Sequence, residues 1–362
     1  MLREIGSNFW IAPKETTGGT NLPSPSIFGC EGNDYVWMST GRSATRLVLK
    51  TIEERNPNVS KIALIPSFTC HTVIEPFLDY GYEIIPLPLD KYLRTSPEAI
   101  IALQKQTEAG VVLVHNYFGF TTTPNLKTIS ETLNHQGIAL IEDRTQCLYS
   151  GLPESSADYY VGSIRKWCGV PDGGFAVCRD GVFNNKPTEP DAAMVELKRT
   201  ASELKYKYIF TGEGNKAVYK SLFSEAETLL DSQNKFYSIG KLSSIIQAGL
   251  NVAELKEKRR NNFLCLLHSL KDSFKIKPVF DSLPDNVTPL YFPVLVNERK
   301  TLQALLADND VYAPVVWPKA NCCPQVSKET EFIYNHILCI PIDQRYGIDD
   351  MERIISILSN EY

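Results

Sequence analysis

The chain has 362 residues, 43% hydrophobic and 22% charged. That is the balance of an ordinary globular protein, long enough for about two domains and a large core. A formal net charge of −5 and a pI near 5.7 exclude a broadly basic nucleic-acid surface, though not a local basic pocket for a phosphate. No apolar run approaches the roughly 18–20 residues of a membrane helix, and the first residues, MLREIGSNFW, carry no apolar leader core, so a cytoplasmic protein is expected. The nine cysteines are odd in number and scattered, with no CxxC pair. They signal neither a disulfide framework nor a metal site, and mostly buried free thiols are expected.

The first part of the chain alternates short apolar runs with amphipathic segments. Strands are expected at Val36–Ser39, Lys61–Ser67, Glu83–Leu89, Gly110–Tyr117, Ile138–Asp143, Tyr159–Ile164 and Gly173–Arg179. The intervening helices fall at Ala44–Glu54, Thr72–Tyr80, Ser96–Thr107 and Asn125–Asn134. Continuous β-branched runs with helices between them predict parallel strands buried on both faces, in an α/β sheet of seven strands. Residues 192–232 read as helical and charged, and a long helix is expected over Leu242–Leu270. A strand at Tyr291–Val296, a helix at Lys300–Asp308, a strand at Ile337–Ile340 and a helix at Ile348–Leu358 complete a smaller α+β domain. The division expected is a large domain over 1–240 and a small one over 241–362.

Ligands of open α/β sheets bind at the carboxyl ends of the strands, and the chemistry-bearing residues follow the apolar runs. Thr40-Gly41-Arg42-Ser43 opens a helix, where backbone amides and a hydroxyl suit a phosphate, or simply a tight turn with a capping serine. Asp143, at the end of the fifth strand, suits a protonated pyridine nitrogen or an ordinary capping role. Lys166 follows the sixth strand, with Ser163 three residues earlier and Gly173-Gly174 beyond. A lysine beside a phosphate pocket can bond an aldehyde cofactor and then move protons; an isolated Arg165-Lys166 pair is equally a solvated basic pair. Phosphate turn, acid, lysine and Gly-Gly strand in this order on one sheet make a joint signal for pyridoxal 5′-phosphate (PLP).

The motifs carry a resemblance as well. TGRSA at 40–44, IPSFTC at 65–70, VHNYFG at 114–119, IEDRTQ at 141–146, SIRKW before PDGGFAV, and the segment IIQAGLNVAELKEKRRNN together resemble the DegT/DnrJ/StrS family of PLP-dependent sugar aminotransferases. The resemblance implies the aspartate-aminotransferase-like fold (PLP fold type I). It makes Lys166 the cofactor-bearing lysine, sets Asp143 on the pyridine nitrogen and places Gln146 near the ring hydroxyl. It also implies glutamate as amino donor, a nucleotide-linked ketosugar as keto acceptor, and a homodimer. The chain departs from the family at three places. Val161 stands where a serine is usual, leaving Ser163 for the phosphate. Cys70 stands where an aromatic covers the ring, so either the thiol or His71 lies there. Ile239 stands where a partner-subunit asparagine reaches the phosphate. Arg42, Arg144, Arg165 and Arg345 are the candidate cations for a sugar nucleotide, Arg345 being equally a surface-turn residue. Phe9-Trp10-Ile11 packs either on a partner or on its own large domain. Other readings are a different PLP reaction on a small amino acid, with Cys168 or Cys322 as a desulfurase-type nucleophile, or a non-catalytic PLP-binding protein.

Overall fold

The computed structural model describes residues 4–233 and 235–361. After the two-residue strand β1 (Ile5–Gly6), seven strands build one sheet: β2 (Asp34–Met38), β3 (Ile62–Pro66), β4 (Glu83–Leu87), β5 (Val111–His115), β6 (Ala139–Asp143), β7 (Tyr159–Ser163) and β8 (Gly174–Cys178). Their order across the sheet is β2-β8-β7-β6-β5-β3-β4. All neighbours are parallel except β8, which runs against both β2 and β7. The helices α1 (Gly41–Arg55), α2 (His71–Asp79), α3 (Pro97–Thr107) and α4 (Leu126–Asn134) lie between the strands.

The alternation of side chains along each strand explains the burial of both faces. Val112 and Val114 of β5 join Leu64 and Leu140 in one apolar cluster. Val111 and Leu113 join Ala63, Ile65 and Ile141 in a second cluster on the opposite face. The reversal at β8 brings Gly174 opposite Ser163 in register. A side chain at Gly174 would stand 2.3 Å from the Thr40 carbonyl carbon, so only glycine lets the backbone at the start of α1 pass this close.

Beyond the sheet the chain is mostly helical: α5 (Ala192–Thr211), α6 (Lys216–Asp231), α7 (Lys241–Ala248) and α8 (Val252–Leu270). The single helix expected over Leu242–Leu270 is two. Gly249 follows the last turn of α7, and the Asn251 side chain caps α8 by accepting from Glu254 N. The apolar periodicity runs through the break, while a glycine and an N-cap asparagine decide it. The smaller unit holds β9 (Ile276–Pro278), β10 (Phe292–Val296), α9 (Arg299–Asp308), β11 (Val311–Tyr312), α10 (Lys328–His336), β12 (Ile337–Ile340) and α11 (Ile348–Glu361). Its antiparallel sheet runs β12-β10-β9 over a separate core cluster. β1 pairs in parallel with β11, tying the N-terminal segment to the smaller unit. No helix among the described residues is long and apolar enough to cross a membrane.

Candidate active site

The carboxyl ends of β5, β6 and β7 meet the first turn of α1 around a cavity of about 230 Å³. Seven of the nine cofactor-site residues expected from the sequence line it: Gly41, Arg42, Cys70, Asp143, Gln146, Ser163 and Lys166. The other two lie outside its wall. Ser43 is buried against Thr40, whose hydroxyl both accepts from Ser43 N and donates to Ser43 Oγ, each at 3.0 Å. His71 is half exposed, its Nδ1 3.8 Å from Cys70 Sγ and its Nε2 4.0 Å from Glu75. Of the two candidates for covering the ring, the thiol therefore faces the cavity.

A short helical turn at Ile164–Lys166 follows β7 and aims the lysine inward. Lys166 Nζ has no hydrogen-bond partner among the described residues and sits 4.8 Å from the centre of the Trp317 ring. Burial lowers its ammonium below the ordinary lysine value, with Cys70 and Asp143 pulling back against the shift. Asp143 Oδ1 accepts from Thr145 N at 2.8 Å. His115 is the register partner of Asp143 in the β5–β6 ladder, and its buried Nε2 lacks a partner. Burial pushes His115 down to about 4, against the pull of Asp143, so the imidazole is neutral at neutral pH. Gln146 Oε1 accepts from Phe118 N at 3.1 Å, which fixes the amide at the wall.

Cys70 is distinctive among the thiols, all nine of which are free. Burial alone would raise it, but the His71 hydrogen bond, the nearby Lys166 charge and Thr72 together hold it below its ordinary value. Burial pushes Cys168 up to about 12 and also raises Cys322, and neither lines the cavity around Lys166 and Asp143.

The four arginines offered for a sugar nucleotide are all engaged by the protein itself. Arg42 binds Glu75 at 3.1 Å and Asp231 at 2.7 Å. Arg144 is buried, bonded to Glu142 at 2.9 Å and to Phe28 O at 2.7 Å. Arg165 binds Glu227 at 2.7 Å. Arg345 lies in no exposed surface turn: its side chain pairs with Asp343 at 2.7 Å, donates to Ser7 O and Asn8 O, and lines a second cavity that Lys166 also borders. Phe9-Trp10-Ile11 packs within the chain. Phe9 lies under the Arg345 guanidinium, and Trp10 meets Phe210 and Tyr346 edge-on.

His115 and Trp317 are among the cavity residues that escaped the sequence-level selection. His115 lay in plain view in VHNYFG, at a strand end. Trp317 lies in APVVWPK, an irregular segment with no periodicity to place it, and only the packing of that segment over Phe68, His115 and Tyr117 brings it to Lys166.

The mostly parallel seven-stranded sheet, the smaller α+β unit and the inward lysine define the aminotransferase-like α/β fold. Among solved structures, the chain is similar to Helicobacter pylori PseC, an aminotransferase involved in the biosynthesis of pseudoaminic acid, at 13% identity, covering 99% of both chains with a TM-score of 0.71. It is also similar to the sugar aminotransferase CalS13 from Micromonospora echinospora (16% identity, 91% of this chain and 87% of that one, TM-score 0.64). A DegT DnrJ EryC1 StrS aminotransferase from Brucella abortus is a third (15% identity, 92% and 87%, TM-score 0.63). Likeness at such identities establishes the fold. No family model matches the sequence, and no curated protein does.

Proposed function

We propose that the protein is a PLP-dependent aminotransferase acting on a sugar-type keto acceptor. The observation that carries the proposal is Lys166: a half-buried lysine whose Nζ has no hydrogen-bond partner among the described residues, sharing one small cavity with Asp143 and with its pKa lowered by desolvation. The acceptor class rests on the neighbours, several of which are sugar aminotransferases, and on the motif resemblance.

The residues present fit the cofactor. Gly41 and Ser163 face each other, the position of a Gly41 Cβ lying 3.5 Å from Ser163 Cβ; the Ser163 hydroxyl, which donates to Gly173 O at 3.1 Å, would turn to a phosphate bound beside the start of α1. Bound there, PLP would supply an aldehyde for Lys166 and a protonated ring that withdraws electrons from the reacting carbon. Asp143 would hold the proton on the ring nitrogen. Neutral His115 beside it adds no competing positive charge. Gln146 would stand near the ring hydroxyl and Cys70 near the ring itself. Because burial favours the uncharged amine, Lys166 is poised to take a proton from a substrate carbon and return it. Trp317 lies against the amine, its ring centre 4.8 Å from Lys166 Nζ, and forms one wall of the cavity.

Borohydride reduction after incubation with PLP, followed by peptide mass spectrometry, tests the assignment. The expected result is one phosphopyridoxyl group, on Lys166. Labelling spread over surface lysines, or absent from Lys166, removes the basis of the proposal.

A further inference from the structure

The phosphate side of the cofactor cavity is walled in part by the end of α6, whose Leu230 lines it together with Gly41, Arg42, Ser163 and Arg165. Both helix ends that meet there carry charges opposed to their own dipoles. α1 has no acidic residue in its first turn and holds Arg42 there, where the helix itself favours an anion. α6 has no basic residue in its last turn and ends on Asp231, with Glu227 one turn earlier, where the helix favours a cation. The fold resolves both mismatches by pairing these carboxylates with the two arginines of the cavity wall.

Arg42 Nη2 meets Asp231 Oδ1 at 2.7 Å, and its Nη1 meets Glu75 of α2 at 3.1 Å. Arg165, the chain neighbour of Lys166, meets Glu227 Oε1 at 2.7 Å, and Lys198 of α5 shares that oxygen at 2.5 Å. Burial would raise the Glu227 carboxyl, but Arg165 and Lys198 outweigh it and hold the group below its ordinary value, so it is ionised at neutral pH. The arginines are not sealed off, since the Arg42 side chain keeps 9% of its surface and that of Arg165 keeps 24%. Asp231 and Glu227 are about half exposed, at 55% and 49%, so water screens these pairs and each contributes little. A phosphate dianion is the stronger partner for a guanidinium, and at close range it repels the carboxylates already there.

We propose, on the footing of the cofactor assignment above, that the cofactor phosphate competes with Asp231 and Glu227 for Arg42 and Arg165, so that PLP loading and docking of the end of α6 oppose each other. Asp231 and Glu227 are positioning residues, acting through the two arginines. PLP releases the last turn of α6, whereas the same pyridine without its phosphate leaves it docked. The two carboxylates thereby set how strongly the cavity prefers a phosphorylated ligand over an unphosphorylated one.

Equilibrium titration of the full chain with PLP and with pyridoxal, which lacks the phosphate, tests the competition. Asp231→Asn is expected to bind PLP about two- to fivefold more tightly than the parent, with pyridoxal binding unchanged. Glu227→Gln is expected to act in the same direction through Arg165, and Asp231→Glu to bind PLP as the parent does. Hydrogen exchange on the unmodified chain keeps the test decisive if a variant fails to fold: the amides of 227–232, at the end of α6, should exchange faster with PLP than with pyridoxal. PLP binding by Asp231→Asn that is unchanged or weaker, an equal gain for pyridoxal, or exchange at the end of α6 that PLP slows or leaves unaltered overturns the proposal, while a phosphopyridoxyl label on Lys166 keeps the cofactor assignment standing. A protein that takes up no PLP on Lys166 loses the assignment and this proposal together.

Discussion

Arg345→Met is expected to destabilise the protein by about 3–5 kcal/mol, because it leaves the Asp343 carboxylate buried without its partner. The guanidinium donates to Asp343 through Nε at 2.7 Å and Nη2 at 2.9 Å, and to Ser7 O at 3.2 Å and Asn8 O at 3.1 Å. It also lies 4.1 Å from the Phe9 ring centre and 4.8 Å from that of Trp10. Burial alone would raise the Asp343 carboxyl, but attraction to Arg345 outweighs it and holds the group below the ordinary carboxylate value. The stabilisation it contributes is therefore present above the unfolded pKa and is lost as pH falls through the lower folded value. Urea denaturation of Arg345→Met, Asp343→Leu and the double variant measures the coupling. The double variant should recover most of the loss, since no uncompensated charge remains. Limited proteolysis should cut Arg345→Met within residues 5–12 faster than the parent. A single-variant loss under about 1 kcal/mol, or a double variant as unstable as the sum of the two singles, would refute the clamp and return Arg345 to the pool of substrate cations.

Other expectations follow from buried charges. Burial raises Asp172 from 3.8 to about 6, despite bonds from Ser243 Oγ and from Gly240 N. A raised folded pKa favours the protonated form, so stability falls as pH rises from about 4 through about 6, by about 3 kcal/mol at most. Asp172→Asn should remove that slope, and thermal melts across this range that keep it would contradict the assignment. Asp143 supports the charged form of Lys166, so Asp143→Asn should move the pH midpoint of PLP uptake by Lys166 downward; an upward move would show that the two groups are not coupled as described. Cys70 should be the first of the nine thiols alkylated by iodoacetamide near neutral pH, and Lys166→Ala should slow it by raising the thiol. Equal rates in the two proteins would exclude the Lys166 contribution.

The sheet was legible because each buried strand is a short β-branched run bounded by polar residues, VVLVH at 111–115 being the plainest. The strand-end rule then led to Asp143 and Lys166 without any coordinates. The antiparallel setting of β8 was not legible, because a strand buried on both faces has the same composition in either direction. The break at 249–251 was masked by apolar periodicity. Side-chain destinations were the least legible of all. An arginine in a sequence does not reveal whether its partner is a ligand or a carboxylate or main-chain carbonyl distant in the chain, as Arg42 with Asp231 and Arg345 with Asn8 O illustrate. Trp317 reaches Lys166 through tertiary packing alone.

The most direct test of the central claim is the visible absorption of the purified protein with PLP, before and after an amino donor, beside Lys166→Ala. A band characteristic of lysine-linked PLP, shifted by an amino donor to that of the amine form and missing from Lys166→Ala, is the predicted result. A protein that forms no such band with PLP, or forms it equally well without Lys166, would contradict the claim that Lys166 is the cofactor-bearing residue of an aminotransferase.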